Sequence, residues 1–314
     1  METAAIHDEE SFEPNGPILG GKGYLPAQTI RKAYYELDET PQTKVVTIRS
    51  FRQLIEENQE ENNFDEHSDA FLLKFLRHRK FDVDDAYKLL VSYYTNREKT
   101  PEVFRNLTRK NVKKTLEQGI VGVLPQRDRY GRVIVLFNFS GWDMSIPFHF
   151  EKLLRVWVYT LEKVYESEET QINGIVIICN LYQLSVLQTK SLRSSMIAKA
   201  IRVFQDNFPY RISGIHLLNP SWHFKLLWKM SSAPSLLKPK LFERIHIHEG
   251  DLSKFYEEFP RKYLSTDLGG VVEYENKLWI EELLEPEQAE QDAQLQTSAH
   301  IQYLSNKQSS PFNF

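Results

Sequence analysis

The reading of this chain turns on Gln205-Asp-Asn-Phe-Pro209-Tyr-Arg-Ile-Ser-Gly214-Ile-His-Leu-Leu-Asn219-Pro220. Within it, Ile215 to Leu218 is a short apolar run opened by Gly214 and closed by Asn219, a pattern that predicts a strand. Three further runs of the same kind lie outward from it, at Val133 to Phe137, Ile175 to Cys179 and Ile245 to His248. The intervals between them carry helical spacing. Leu154, Trp157, Val158, Leu161 and Val164 form one apolar stripe, and Ile197, Ile201, Phe204 and Phe208 form a second. Short strands alternating with helices predict an α/β layer built on a largely parallel sheet.

Upstream of this layer the spacing is helical throughout. Ile48, Phe51, Leu54 and Ile55 make one stripe, and Phe71, Leu72, Phe75 and Leu76 a second. A third is formed by Val83, Ala86, Leu89, Leu90, Tyr93 and Tyr94, with Asp82 placed to cap its start. So few short amphipathic helices bury little core alone, and they are expected to pack on the α/β layer. The expected organisation is an acidic, disordered N-terminus over 1–25, a helical domain over 26–100, an α/β domain over 101–275, and an acidic, mostly disordered tail over 276–314.

Charge follows the same division. The 314 residues carry a formal net charge of −4, yet each end alone holds a net −4, five acids against Lys22 at the front and six against Lys277 and Lys307 at the back. The middle is therefore basic. Its excess is concentrated between Ser185 and Ile245, with ten Lys and Arg against Asp206 and Glu243. A local excess of this kind suits an anionic partner. Cys179 is the only cysteine, which excludes a disulfide framework and fits a reducing compartment. No apolar run approaches the ~20 residues of a membrane span. The start lacks a basic region followed by an apolar core, so no signal peptide is expected and the cytosol is the default address.

Catalytic chemistry finds no foothold. Gly16 to Gly23 imitates a phosphate-binding loop, but Gly23 stands where Ser or Thr should hold magnesium, and neither a strand nor a helix frames it. No dinucleotide fingerprint follows a strand, and no nucleophile elbow is present. His246 and His248 share one strand face, with His216 in another strand, but no carboxylate or thiol cluster completes a metal site. Cys179 lies in an apolar run, where a thiol packs rather than reacts. Glu168 and Glu169 fall between elements and read as solvated. The chain is expected to be no enzyme, with no cofactor and no metal. Its basic residues form no recognisable nucleic-acid module. One segment is conspicuous instead: Ser221 to Met230 is amphipathic, with Phe224, Leu227 and Trp228 on one stripe. Its periodicity fits either a core helix or a movable apolar lid.

Several of these stretches also carry a family resemblance. Asp69-Ala-Phe-Leu-Leu-Lys-Phe-Leu-Arg77-His-Arg79-Lys-Phe-Asp-Val83 resembles the start of a CRAL-TRIO (Sec14-like) protein. Asp128-Arg-Tyr-Gly131-Arg-Val-Ile-Val, Glu169-Thr-Gln-Ile-Asn-Gly174-Ile-Val-Ile-Ile, the stretch from Gln205, Glu243-Arg-Ile-His-Ile-His248 and Asp267-Leu-Gly269-Gly270 come after it in family order. The match covers about residues 45–272 and is most similar to the branch of tocopherol- and retinaldehyde-binding proteins. It implies a CRAL-TRIO lipid-binding fold with a lid helix, behind a small all-helical N-terminal domain.

The resemblance implies a mode of action as well. Family members enclose one hydrophobic molecule, close a lid over it and ferry it between membranes without covalent chemistry. The lining positions fall on Leu154, Trp157, Leu161, Ile175 and Ile177, then on Val203, Phe204, Phe208, Tyr210, Ile212 and Ile215, with Phe224, Leu227 and Met230 on the lid. Trp157 and Leu161 replace two small hydroxyl residues of the tocopherol-type wall, which implies a drier, reshaped cavity and argues against tocopherol as the cargo. A basic cleft for phosphoinositide headgroups falls on Arg79, Arg211, Lys240 and Arg244, with Ser213 at a further position that is basic in the family. The expected partners are a hydrophobic small molecule or lipid and phosphoinositide-containing membranes. The expected location is cytoplasmic, with reversible association with endosomal or other phosphoinositide-bearing membranes. The alternative is a phosphoinositide-dependent recruitment adaptor that transfers no cargo.

Overall fold

The computed structural model describes residue 18 and residues 24–58, 64, 68–139, 149–182, 184–230, 236–273 and 276–284. Six helices come first: α1 (Ala27–Leu37), α2 (Pro41–Glu57), α3 (Asp69–His78), α4 (Val83–Lys99), α5 (Pro101–Phe104) and α6 (Arg109–Leu116). Their starts are written in the sequence. Thr40 caps α2 by accepting from Thr43 N at 2.9 Å, Ser68 caps α3, and Asp82 caps α4 through Asp85 N at 2.8 Å, as its position predicts.

A five-stranded sheet comes next, with β1 (Val121–Val123), β2 (Val133–Asn138), β3 (Ile175–Asn180), β4 (Ile212–Leu218) and β5 (Ile245–His248) in sequential order. β1 pairs antiparallel with β2, and the remaining pairs are parallel. β1 escapes the sequence pattern because it is three residues long with Gly122 at its centre. Right-handed crossovers that always step the same way place the connecting helices on one face of a sheet. These are α7 (Phe150–Val164) and α8 (Glu168–Asn173), then α9 (Val186–Ser191) and α10 (Ser194–Phe204), then α11 (Trp222–Met230) and α12 (Pro239–Phe242).

Alternation along the strands divides the apolar side chains between the two faces. Val133, Val135, Ile175, Ile177 and Leu217 join Leu154, Leu161 and Val203 of the crossover helices in one core, which continues into Leu37, Phe51, Phe75 and Leu90 of the N-terminal helices. The N-terminal helices therefore share their core with the α/β layer, as their small size predicts. Ile134, Leu136, Val176, Ile178 and Leu218 point the other way. They are covered by Phe255 of α13 (Ser253–Glu258), by Phe259 just after it, and by Leu264 and Leu268.

Buried polar contacts clamp the N-terminal helices onto the layer. Arg77, fully buried, donates to Glu39 at 2.7 and 2.9 Å, to Glu168 at 2.7 Å and to Gln171 of α8. Asn96 Nδ2 donates to Val203 O and Asn173 Nδ2 to Thr29 Oγ1, each at 2.9 Å. The reading of Glu168 and Glu169 as a solvated pair holds for the Glu168 side chain, which is 53% exposed, but not for Glu169. Glu168 pairs with Arg77, and Glu169 is buried 3.2 Å from Arg127. Four residues on from Thr170, Gly174 turns the chain into β3 at φ +84, where a Cβ would lie 2.5 Å from Arg211 O. Only glycine suits that junction.

Two terminal expectations also meet the structure. Of residues 1–25 most lie outside the described residues, including all of the Gly16–Gly23 motif except Ile18, which is buried in the main core. The stretch from 276 begins as a helix, α14 (Asn276–Leu284), rather than as tail. Trp279, Ile280 and Leu283 bury there, and Asn276 Nδ2 donates to Val121 O of β1 at 3.2 Å, so the helix shields the sheet edge. Residues 285–314 lie outside the described residues.

Candidate functional site

The helix-bearing face of the sheet does not pack shut. A cavity of about 220 Å³ lies between β2, β3, β4 and β5 on one side and α7, α10 and α11 on the other. Its wall is apolar by construction. Phe137, Ile177, Cys179, Ile215 and Leu217 are the alternate residues of the central strands, and Leu153, Leu154, Trp157, Ile197, Ile201 and Phe204 come from the stripes of α7 and α10. Gln205 is its one amide side chain, and that amide is engaged, donating to Leu236 O at 3.1 Å and accepting from Lys238 N at 2.8 Å. Burial pushes the Cys179 thiol up to about 12, so it serves as wall and not as nucleophile.

Seven of the positions expected to line a cavity do so: Leu154, Trp157, Ile177, Phe204, Ile212, Ile215 and Phe224. The other seven sit elsewhere. Leu161, Ile175 and Val203 are buried in the core beyond the wall. Phe208 comes after the end of α10 rather than extending its stripe, and it stacks on Tyr210 with ring centroids 4.8 Å apart. Leu227 packs against the core, and Met230 is 69% exposed. The reason is a line of aromatic rings that closes the inner end. Phe137 meets Trp157 at 4.8 Å, Trp157 meets Phe204 at 4.0 Å, Phe204 meets Phe208 at 5.5 Å, and Tyr210 stacks on Tyr165 at 4.5 Å. What would be cavity on the Tyr210 side is filled by rings. Trp157 Nε1 and Tyr210 Oη are buried there without a hydrogen-bond partner among the described residues.

Sequence reasoning did not assign to the wall Phe137, Leu153, Cys179, Ile197, Ala200, Ile201, Gln205 and Leu217, which lie on or beside elements it had identified. It also missed Phe139, Phe150, Leu181, Leu192, Trp228, Leu237, Leu241 and Ile245. Trp228 stood on the stripe already singled out, and Ile245 opened a strand already identified. The others lie at element ends, where periodicity carries no signal.

α11 covers the cavity with Phe224 and Trp228, yet none of its residues is fully buried. Trp222, Leu226 and Met230, each one helical turn apart, face outward at 65%, 48% and 69% exposure. A helix apolar on both its inner and its outer face is more than a core helix requires. It packs on α9, where Val186 and Leu187 are also exposed. Lys225 holds it to the loop after β5 through Glu249 at 3.0 Å. Residues 231–235, directly after α11, lie outside the described residues.

The cations converge from three elements. Arg79 closes α3, Arg211 immediately precedes β4 and Arg244 immediately precedes β5. All three bear on the His78 ring, whose basicity is lowered to about 3 by burial first and then by the charges of Arg79, Arg211 and Arg244. Arg211 Nη2 pairs with Glu36 at 3.0 Å, and Arg244 Nη1 donates to Ile212 O. Arg79 Nε and His78 Nδ1 are shut from solvent with no hydrogen-bond partner among the described residues. Lys240 is exposed on α12, next to the exposed Phe242. Ser213 supplies no charge.

Of the histidines singled out in the sequence, His216 is fully buried on the far face of the sheet. Its Nδ1 lies 3.0 Å from His248 Nε2, its ring stacks on His246 at 4.9 Å, and Phe259 meets it edge-on. Burial, then His246 and His248, hold it to about 3. Among the described residues no three His, Cys, Asp or Glu side chains are placed to hold a metal ion. No helix among them is long and apolar enough to cross a membrane.

Comparison with known proteins agrees with this geometry. The sequence profile described as "CRAL/TRIO domain" matches residues 117–270, and that described as "CRAL/TRIO, N-terminal domain" matches residues 47–92. Clavesin-1 of Rattus norvegicus is 33% identical over 283 residues, covering 89% of this chain and 79% of the relative. Alpha-tocopherol transfer protein-like of Homo sapiens is 34% identical over 288 residues, covering 90% and 82%. Among solved structures, that of Sfh5 aligns with a TM-score of 0.47 at 11% identity, covering 83% of this chain and 97% of the other.

Proposed function

The chain belongs to the CRAL/TRIO family of lipid-binding and transfer proteins, and we propose that it binds one small hydrophobic molecule and moves it between membranes without covalent chemistry. The observation that carries this reading is the apolar cavity closed by a helix that is itself apolar outside. An apolar guest entering such a space contributes roughly 0.8 kcal/mol per buried CH₂. The outer stripe of Trp222, Leu226 and Met230 gives the lid a face that lipid accepts better than water. Retinoid-, carotenoid- and tocopherol-sized guests share the required chemistry; Trp157 makes the wall bulky and dry, which disfavours a guest whose hydroxyl needs a partner inside.

Docking is assigned to Arg79, Arg211, Lys240 and Arg244 acting on phosphoinositide headgroups. Guanidinium groups bind phosphate oxygens in pairs, and each cation near an anionic leaflet contributes about 1 kcal/mol. The protein would then work from the cytoplasm, associating reversibly with endosomal or other phosphoinositide-bearing membranes.

A second reading has its own support. The cavity volume of about 220 Å³ lies below the ~300–1,000 Å³ usual for small-molecule sites, with the indole of Trp157 forming part of the wall. An adaptor recruited through the same cations but carrying no cargo fits that observation. Native mass spectrometry of gently purified protein, with solvent extraction, separates the two. One lipid per chain supports transfer. An empty protein that refuses a panel of fluorescent lipids sinks it and leaves the adaptor.

A further inference from the structure

His78 stands where the three arginines meet, and neither the fold nor the cavity uses it. It ends α3, beside Arg79. Arg211 and Arg244 reach it from the starts of β4 and β5, and Asp206 faces it from the turn after α10. Asp206 is already paired, 2.7 Å from Lys238, and Arg211 is paired with Glu36 of α1. Asp206 is therefore answered, and the three guanidinium charges outweigh it at the ring. Two buried nitrogens have no partner among the described residues: Arg79 Nε, a donor, and His78 Nδ1, which becomes one when the ring is protonated. Buried polar atoms are rarely left so, and two adjacent ones within a group of cations describe the complement of an anion.

Resting on the docking function assigned above, we propose that His78 is a proton-linked ligand of the phosphoinositide phosphate, binding it as imidazolium and tightening membrane docking as pH falls.

In the free protein the ring is neutral, because burial and three guanidinium charges oppose a fourth positive charge. A phosphomonoester brings about −1.5 to −2 charges into the same place. It offsets the arginines, reverses the sign of the field and gives the imidazolium a partner. The carbonyl end of α3 favours the same change. Binding then takes up one proton, so affinity must rise as pH falls. If the bound ring returns to the ordinary imidazole value of ~6.5, the linked proton adds about tenfold between pH 7.5 and 5.5.

The test uses the full chain with phosphatidylcholine vesicles, with and without a few mole per cent of phosphatidylinositol bisphosphate, at pH values from 7.5 to 5.5. Parent, His78→Ala, His78→Gln and Arg79→Ala proteins are compared by flotation, with thermal melts to confirm folding. The headgroup itself loses charge over this range, so the informative quantity is the ratio of parent to His78 variant. That ratio should rise about tenfold toward pH 5.5 for both neutral replacements. Equal pH slopes in parent and His78 variants overturn the proposal. A parent that ignores the phosphoinositide, or an Arg79→Ala protein that binds as well as the parent, overturns the docking assignment beneath it. A tenfold gain for soluble inositol bisphosphate but none for vesicles overturns the membrane source of the phosphate.

Discussion

Replacing Trp157 with alanine should convert a cramped cavity into a capacious one, at a cost in stability that a guest restores. The indole packs against Phe204 at 4.0 Å and Phe137 at 4.8 Å between centroids. Its removal leaves a void on the order of 150 Å³, the size made by deleting a buried leucine side chain elsewhere, or more. Added to the existing 220 Å³, this reaches the ~300–1,000 Å³ range of small-molecule sites. Truncating a packed tryptophan costs about 3–5 kcal/mol, a loss of roughly 5–15 °C in melting temperature for a chain of this size. The buried Nε1 with no hydrogen-bond partner among the described residues places the cost toward the lower end. A guest at ~100 times its Kd returns about 2.7 kcal/mol. Melting curves of parent and variant, with and without a bulky fluorescent lipid, measure both terms. The variant should start lower and gain more. A lipid that raises both proteins equally refutes the claim that Trp157 limits the cavity, and an unshifted variant refutes its packing.

Two other outcomes rest on buried charge. Arg77→Ala leaves buried Glu39 with Lys44, 3.2 Å away, as its remaining cation and should destabilise the fold by roughly 3 kcal/mol in chemical denaturation, whereas Arg52→Ala on the exposed Asp69 pair should cost under ~1 kcal/mol. Burial alone would raise the Glu39 carboxyl, and Arg77 together with Lys44 holds it below the usual range instead, so Arg77→Ala should move it upward. Acid should unfold the protein through its histidines. His78 and His216 stay neutral to about 3, while unfolded imidazoles bind protons from ~6.5 down. Between those values the unfolded state holds more protons, so stability falls as pH drops from about 6.5 toward 3. His216→Asn should flatten that fall when denaturation midpoints are compared at pH 7 and pH 5.

The architecture was legible where pattern and period coincide. β2 and β3 stood out because strands covered on both faces read as unbroken apolar runs, β4 and β5 as short β-rich runs bounded by Gly, Asn or Glu, and the Asp82 cap announced α4. β1 was not legible, since three residues around Gly122 carry no period. Wall positions were legible on α7 and α10 up to the point where the helix stops. Phe208 continues the i, i+4 spacing past Phe204, but α10 ends at Phe204 and the ring turns into the aromatic stack. The role of Glu168 and Glu169 was hidden for a different reason. Their partners, Arg77 and Arg127, lie some 90 and 40 residues away, and no local spacing reveals an ion pair closed by tertiary packing.

Cargo wall and cation cluster are written into the same few residues. Arg211 precedes Ile212 and Arg244 precedes Ile245, and both isoleucines line the cavity. At each strand entrance, one residue is therefore a cation beside His78 and the next is wall. The two strands are also tied at this point, since Arg244 donates to Ile212 O and Ile215 N donates to Arg244 O at 2.8 Å. A phosphate that draws the Arg244 guanidinium away competes with the bond that holds Ile212 in the wall. The same chain then runs through α12 to the lid, with Gln205 bonded to Leu236 O and Lys238 N, and Lys225 to Glu249. Docking and opening need no separate relay between distant sites under this arrangement. On the proposed function they would compete for one arginine, and a headgroup that wins it is expected to loosen the wall of the cavity.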